Sequence, residues 1–138
     1  MKKILMIFLA FMLIPALLLG CQSNADSTLN YRDVSEVRIS ESTGFTKVNP
    51  DFFEIYQDED ALLLFTDLLQ NATREEGIVD MIQPEYDLEI LYKDGNDQGF
   101  HLWVGESGEK STLMKVDDTH TIYTVSAEIT DKLIALFE

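Results

Sequence analysis

An α+β domain, with a mainly antiparallel sheet of four to six strands and two helices packed on one of its faces, is the fold that the sequence predicts. Three observations lead there. Several short segments alternate apolar with polar residues, as half-buried strands do. Turn-forming residues separate them, most clearly Asp94-Gly95-Asn96-Asp97. Two longer segments space their apolar residues at helical intervals and begin with helix-starting residues. Strands in runs, with few helices, favour an α+β arrangement over an alternating parallel one.

The elements follow in order. Val34 to Ser40 alternates, with Val37 and Ile39 on one side and Glu36 and Arg38 on the other. Gly44 and Pro50 place a turn after it, and Phe52 to Tyr56 reads as a short aromatic strand. Asp58-Glu59-Asp60 opens a helix, because carboxylates in the first turn meet the positive end of the helix dipole. Leu62, Phe65, Leu69 and Ala72 form its apolar face, with Leu64 and Leu68 beside them, and a stop is expected before Gly77. Tyr86 to Tyr92 puts Tyr86, Leu88, Ile90 and Tyr92 on one face. The strand returning from the Asp94 turn puts Phe100, Leu102 and Val104 on one face and His101 and Trp103 on the other. Leu113 to Val116 and Thr121 to Val125 complete a meander around Asp117-Asp118-Thr119-His120. Ser126 is a good N-cap for a last helix, Ala127 to Phe137, with Ile129, Leu133, Leu136 and Phe137 turned to the core.

The N-terminus carries a separate signal. Lys2 and Lys3 precede an apolar run from Ile4 to Leu19, broken only by Pro15. The run is short and ends in a small residue, which suits an export signal better than a spanning helix. Leu18-Leu19-Gly20-Cys21 resembles the lipobox of bacterial lipoproteins. That resemblance implies removal of residues 1–20 and a diacylglyceryl group on the Cys21 sulfur, with acylation of the new amine in many species. The expected organisation is a signal peptide at 1–20, a polar tether at 21–30, and one folded domain at 31–138. The expected location is the extracytoplasmic face of the cell membrane. Stable attachment takes two or more acyl chains, so this chemistry suits an anchor.

Charge and cysteine content exclude several functions. The chain has 10 basic and 25 acidic residues, a net charge of −15. Loss of residues 1–20 removes two lysines and no acid, which takes the charge to −17. Such a surface does not suit nucleic acid, whose binding needs clustered cations, nor docking on anionic headgroups. Cys21 is the single cysteine, so its lipidation leaves no disulfide, thiolate metal site or cysteine nucleophile.

From Gly77 onward a familiar series appears. Gly77-Ile78-Val79-Asp80, Pro84-Glu85-Tyr86, Tyr92-Lys93-Asp94-Gly95, Phe100-His101-Leu102-Trp103, Leu113-Met114 and Tyr123-Thr124-Val125-Ser126 stand in order. The series resembles the YhfM-like domain of small exported or membrane-anchored proteins of Gram-positive bacteria, over roughly Val34 to Glu138. The resemblance implies an exported domain and supplies no catalytic residues.

Candidate sites are few. Asp94, Asn96 and Gly99 fit positions 1, 3 and 6 of a calcium loop, but Gly105 stands where its bidentate glutamate belongs. Asp94, Asp97, Asp117 and Asp118 are candidate cation ligands, with His120 beside the second pair. No Gly-x-Ser-x-Gly elbow surrounds Ser107 or any other serine, and no glycine-rich phosphate loop occurs. Trp103 and His101, on the sheet face away from the helices, are candidates for a partner surface, since an exposed tryptophan often anchors one. The expectation is therefore a lipid-anchored domain that is not an enzyme, needs no cofactor, and binds a protein or peptide. Its alternative is a sensor of cations or small ligands through the acidic turns. Replacement of Cys21 by alanine should abolish fatty-acid labelling in cells and release the protein from the membrane; unchanged labelling would overturn the lipobox reading.

Overall fold

The computed structural model describes Leu29, residues 32–77 and residues 80–138. The signal segment, Cys21 and most of the tether lie outside the described residues. Among the described residues nine elements follow one another: β1 (Val34–Glu41), β2 (Glu54–Tyr56), α1 (Glu59–Asn71), β3 (Thr73–Arg74), β4 (Tyr86–Tyr92), β5 (Asp97–Trp103), β6 (Ser111–Lys115), β7 (Asp118–Val125) and α2 (Ala127–Phe137). The strands form one sheet in the order β2-β1-β4-β5-β6-β7-β3, antiparallel at every junction.

The sheet has seven strands, above the expected four to six. The additional strand is β3, whose two residues pair with Thr124 and Tyr123 of β7. Two residues display no alternation, so only the long-range ladder defines this strand. The same pairing ends α1 earlier than expected. The helix stops at Asn71, and Ala72 turns extended to feed β3. The last hairpin also differs from its expected form. Lys115 pairs directly with Asp118, so Val116 and Asp117 form a tight turn and His120 lies within β7.

Local chemistry explains the helix starts. The Asp58 carboxylate accepts from the Ala61 N–H at 3.0 Å, with Glu59 and Asp60 in the first turn. Ser126 caps α2 in the same way, at 3.4 Å from the Ile129 nitrogen. Both helices pack on one face of the sheet. Phe65, Leu68 and Leu69 of α1 and Ile129 and Leu133 of α2 meet Val37, Ile39, Leu88, Ile90, Phe100, Leu102 and Leu113. Each fully buried large side chain in this layer contributes about 1.5–3 kcal/mol relative to exposure. A bulge between Val34 and Glu36 shifts the β1 register and lets Val34 join the core despite its place in the alternation. Among the described residues, no helix is long and apolar enough to cross a membrane.

Gly105, just after β5, has backbone where a side chain would go. A Cβ there would sit inside the Lys110 carbonyl, and the Gly105 N–H donates to Ser111 Oγ at 3.2 Å. Because backbone rather than a flexible side chain blocks the space, Gly105→Ala should destabilise the domain by about 1–3 kcal/mol in denaturant unfolding. An unchanged midpoint would show that the β5–β6 connection relaxes freely.

Candidate functional site

Strand alternation sends every second residue to the face away from the helices. Register then aligns these residues in a row across the sheet. Ser40 of β1 stands opposite Asp87 of β4, Asp87 opposite His101 of β5, His101 opposite Met114 of β6, and Met114 opposite Ile122 of β7. In this row Asp87 and His101 are fully buried, and His101 Nδ1 lies 2.7 Å from Asp87 Oδ1. Asp87 Oδ2 accepts the Asn49 N–H at 2.8 Å. A carboxylate has only acceptors, so the shared proton lies between Nδ1 and Asp87; in the neutral tautomer Nε2 is then an acceptor. Among the described residues, His101 Nε2 is the one buried side-chain polar atom without a hydrogen-bond partner. Asp87 stands on the β4 side of His101 and Met114 on its β6 side.

The dyad is buried because a second layer of chain crosses the open face. Residues 42–50, a strap between β1 and β2, lie over it. Ser40 Oγ donates to the Asn49 carbonyl at 2.7 Å, and Asn49 Nδ2 donates to the Glu41 carbonyl at 2.9 Å. The Phe45 ring stands edge-on to His101 at 5.8 Å and tilts against Trp103 at 6.0 Å. Val48 rests where Gly99 has no side chain, since a Cβ on Gly99 would come within 2.7 Å of Val48 Cγ2. The segment before β4 closes the other side. Trp103 Nε1 donates to the Ile82 carbonyl at 3.0 Å, and Gln83 Nε2 reaches the Ser42 carbonyl of the strap at 3.3 Å. Beneath it, Trp103, Met114 and Ile122 form a small apolar cluster with Met81 against it.

His101 and Trp103 thus occupy the sheet face away from the helices, but the strap and the segment around Ile82 bury both. Trp103 is 7% exposed, so it offers little surface to a partner in this closed arrangement. Sequence reasoning missed Asp87, Ser40, Asn49 and Phe45. The Asp87–His101 pairing had a signal: a hairpin centred on Asp94 brings together residues equally distant before and after it, Asp87 and His101 among them. The strap had none, because its landing place is fixed by long-range contacts.

The acidic candidates are not drawn together. Among the described residues, no group of three or more His, Cys, Asp or Glu could hold a metal ion. Backbone already engages two of them. Asp94 Oδ1 accepts the Asn96 N–H at 2.9 Å, which holds that carboxyl below its ordinary range. Asp118 is lowered by hydrogen bonds from the Thr121 side chain and from the His120 N–H. Asp117 meets Gln98 Nε2 at 3.4 Å, while Asp97 opens β5.

Fold and site together define a single-sheet α+β domain with a buried aspartate–histidine pair. The family model described as YhfM protein matches residues 32–138, and the chain belongs to this family. No curated protein matches the chain at a significant level. Among solved structures, the crystal structure of a thioesterase-like protein from Clostridium sporogenes is similar, with a TM-score of 0.59 and 20% identity. The match covers 75% of this chain and 94% of that one.

These findings correct the expected function. The non-enzymatic interaction domain rested in part on the absence of a catalytic constellation, and the sensor offered as its alternative rested on acidic turns that the fold does not draw together. The fold is one on which a thioesterase-like protein is built. Asp87 and His101 bring together an acid and an oriented base that lie 14 positions apart in sequence.

Removing one partner from this buried pair leaves the other unsatisfied. Asp87→Ala should cost about 3–5 kcal/mol in denaturant unfolding. In a double-mutant cycle with His101→Ala the losses should be less than additive. Full additivity would show that the 2.7 Å contact carries no coupling.

Proposed function

We propose that this domain is a hydrolase of acyl esters, thioesters among them, with His101 as general base and Asp87 as the residue that orients it. The observation that carries the reading is the buried pair itself, with Nδ1 held by Asp87 and Nε2 left without a partner. The fold likeness to a thioesterase-like protein supports the choice of acyl-ester chemistry.

The steps follow from the arrangement. The strap lifts, and a water and the substrate carbonyl enter beside Nε2. Nε2 takes a proton from the water as its oxygen bonds to the acyl carbon. The Asp87 carboxylate stabilises the imidazolium that forms and keeps the ring from rotating. The tetrahedral intermediate collapses, the bond from carbon to the leaving sulfur or oxygen breaks, and the imidazolium returns its proton to that leaving group. The products are a carboxylic acid and a thiol or alcohol. General base catalysis of this kind contributes about 10²–10⁴-fold in rate. We further propose, on the lipobox resemblance of Leu18-Leu19-Gly20-Cys21 alone, that the domain is held through Cys21 at the outer face of the cell membrane.

Purified protein should hydrolyse members of a panel of acyl thioesters and aryl esters. His101→Gln should lower kcat by about 100-fold or more while the fold persists. Asp87→Asn should lower it less, because the base remains but its tautomer and orientation are lost. Hydrolysis unaffected by His101→Gln in a folded variant would remove His101 from the chemistry, and no hydrolysis across the panel would remove the reading.

A further inference from the structure

Resting on the hydrolase reading, we infer that the substrate of the Asp87–His101 site is an apolar acyl group on a leaving group that is uncharged or cationic, not on a phosphorylated carrier. Two independent features lead to this: the apolar side chains beside His101 on the side away from Asp87, and the charge of the segments that roof the site.

Asp87 holds His101 from the β4 side, and on the β6 side His101 stands opposite Met114, which packs with Trp103 and Ile122 and with Met81 against them. These side chains offer no charge and almost no hydrogen-bonding capacity. The Trp103 indole N–H is already committed to the Ile82 carbonyl. A hydrocarbon chain satisfies such a surface, whereas a polar acyl group entering it leaves its own groups unpaired. The entrance is apolar as well. Phe45, the strap residue against both His101 and Trp103, is 36% exposed, and Ile82 is 79% exposed. Large apolar side chains held in water at the rim of a buried base fit a site that passes hydrocarbon. When the strap lifts, Phe45 leaves the His101 and Trp103 rings, and an acyl chain can take its place.

Charge selects the leaving group. The segment 80–85, whose Ile82 carbonyl holds the Trp103 indole, carries Asp80 and Glu85 and no lysine or arginine. The strap supplies one cation, Lys47. Arg38, in the next row of the open face, is held between Glu36 and Glu89, with its Nη1 at 2.9 Å from Glu89. A carrier bearing several phosphates would approach against this field, and against the net charge of −15 of the whole chain. A neutral thiol or a cationic alcohol meets no such barrier.

The test uses the full-length chain and thioesters that share the decanoyl group. Their leaving groups are coenzyme A, N-acetylcysteamine and thiocholine. At low ionic strength, kcat/KM should be at least about tenfold higher for the neutral and cationic thiols than for coenzyme A, and the gap should narrow as salt screens the field. On N-acetylcysteamine, kcat/KM should rise from acetyl to decanoyl by about two- to fourfold per methylene that becomes buried. Trp103 is the one tryptophan of the chain, so its fluorescence reports occupancy without turnover. N-methyldecanamide, which carries the same chain on an uncleaved bond, should shift that fluorescence in the native protein and in His101→Gln alike. Turnover that ignores chain length, or that favours coenzyme A, overturns this inference and leaves the hydrolase reading standing. A fluorescence shift without turnover of any thioester keeps the apolar acyl ligand and removes hydrolysis. Neither turnover nor shift removes both.

Discussion

A carboxylate with no contact with water organises the open face of this domain. Taking Asp87 out of solvent is costly unless hydrogen bonds replace its hydration. His101 Nδ1 and the Asn49 N–H supply them, one from the neighbouring strand and one from the strap. The strap is therefore a structural partner of the sheet rather than a loose connection. It cannot leave without exposing Asp87, and it cannot stay without covering His101. Orientation of the base and access to it are thus coupled through one residue.

The two faces of the sheet are solved differently. Toward the helices, large aliphatic side chains and Phe65 and Phe100 interlock, and apolar burial suffices. Toward the strap, the layer is thin and mixes polar with apolar groups. Gly99 leaves room for Val48 to lie close to the strand, and Ser40 ties the strap by its hydroxyl. A layer of this kind rests on a few directional bonds and one aromatic cap, Phe45. Local openings in proteins are drawn from such regions, whose apolar contacts are few. The helix side provides a rigid platform, and the strap side provides the part that can yield.

The unpartnered Nε2 gains its meaning from this contrast. Buried polar atoms are normally satisfied, and an exception calls for a physical reason. The rest of the layer meets that norm: Ser40, Asn49, Asp87 and the Trp103 N–H all have partners. An imidazole fixed at one nitrogen and free at the other is a poor structural bolt and a well-oriented base. With the strap down the whole His101 side chain is buried, beside an apolar cluster of Trp103, Met114 and Ile122.

Much of the architecture was legible because it is local. Alternation along residues 34–41 and 86–92, the turn at Asp94, and the caps Asp58 and Ser126 depend on neighbours in sequence, and the elements follow them. The opposite sides taken by Phe100 and His101 follow from strand pleating alone. Properties that depend on distant chain were not legible. Thr73 and Arg74 are a strand only because β7 offers a free edge, and that edge also shortens α1. His101 and Trp103 read as surface residues, since nothing near them in sequence predicts cover. Asn49 reaches Asp87 from 38 positions away and Phe45 reaches His101 across a still longer stretch of chain, and together they make that face an interior. The sequence by itself determined the strands, the helices and which side of the sheet each residue takes, because these depend on backbone periodicity. Tertiary structure alone decided which polar residues share a dry site, because burial is a property of what packs over a residue.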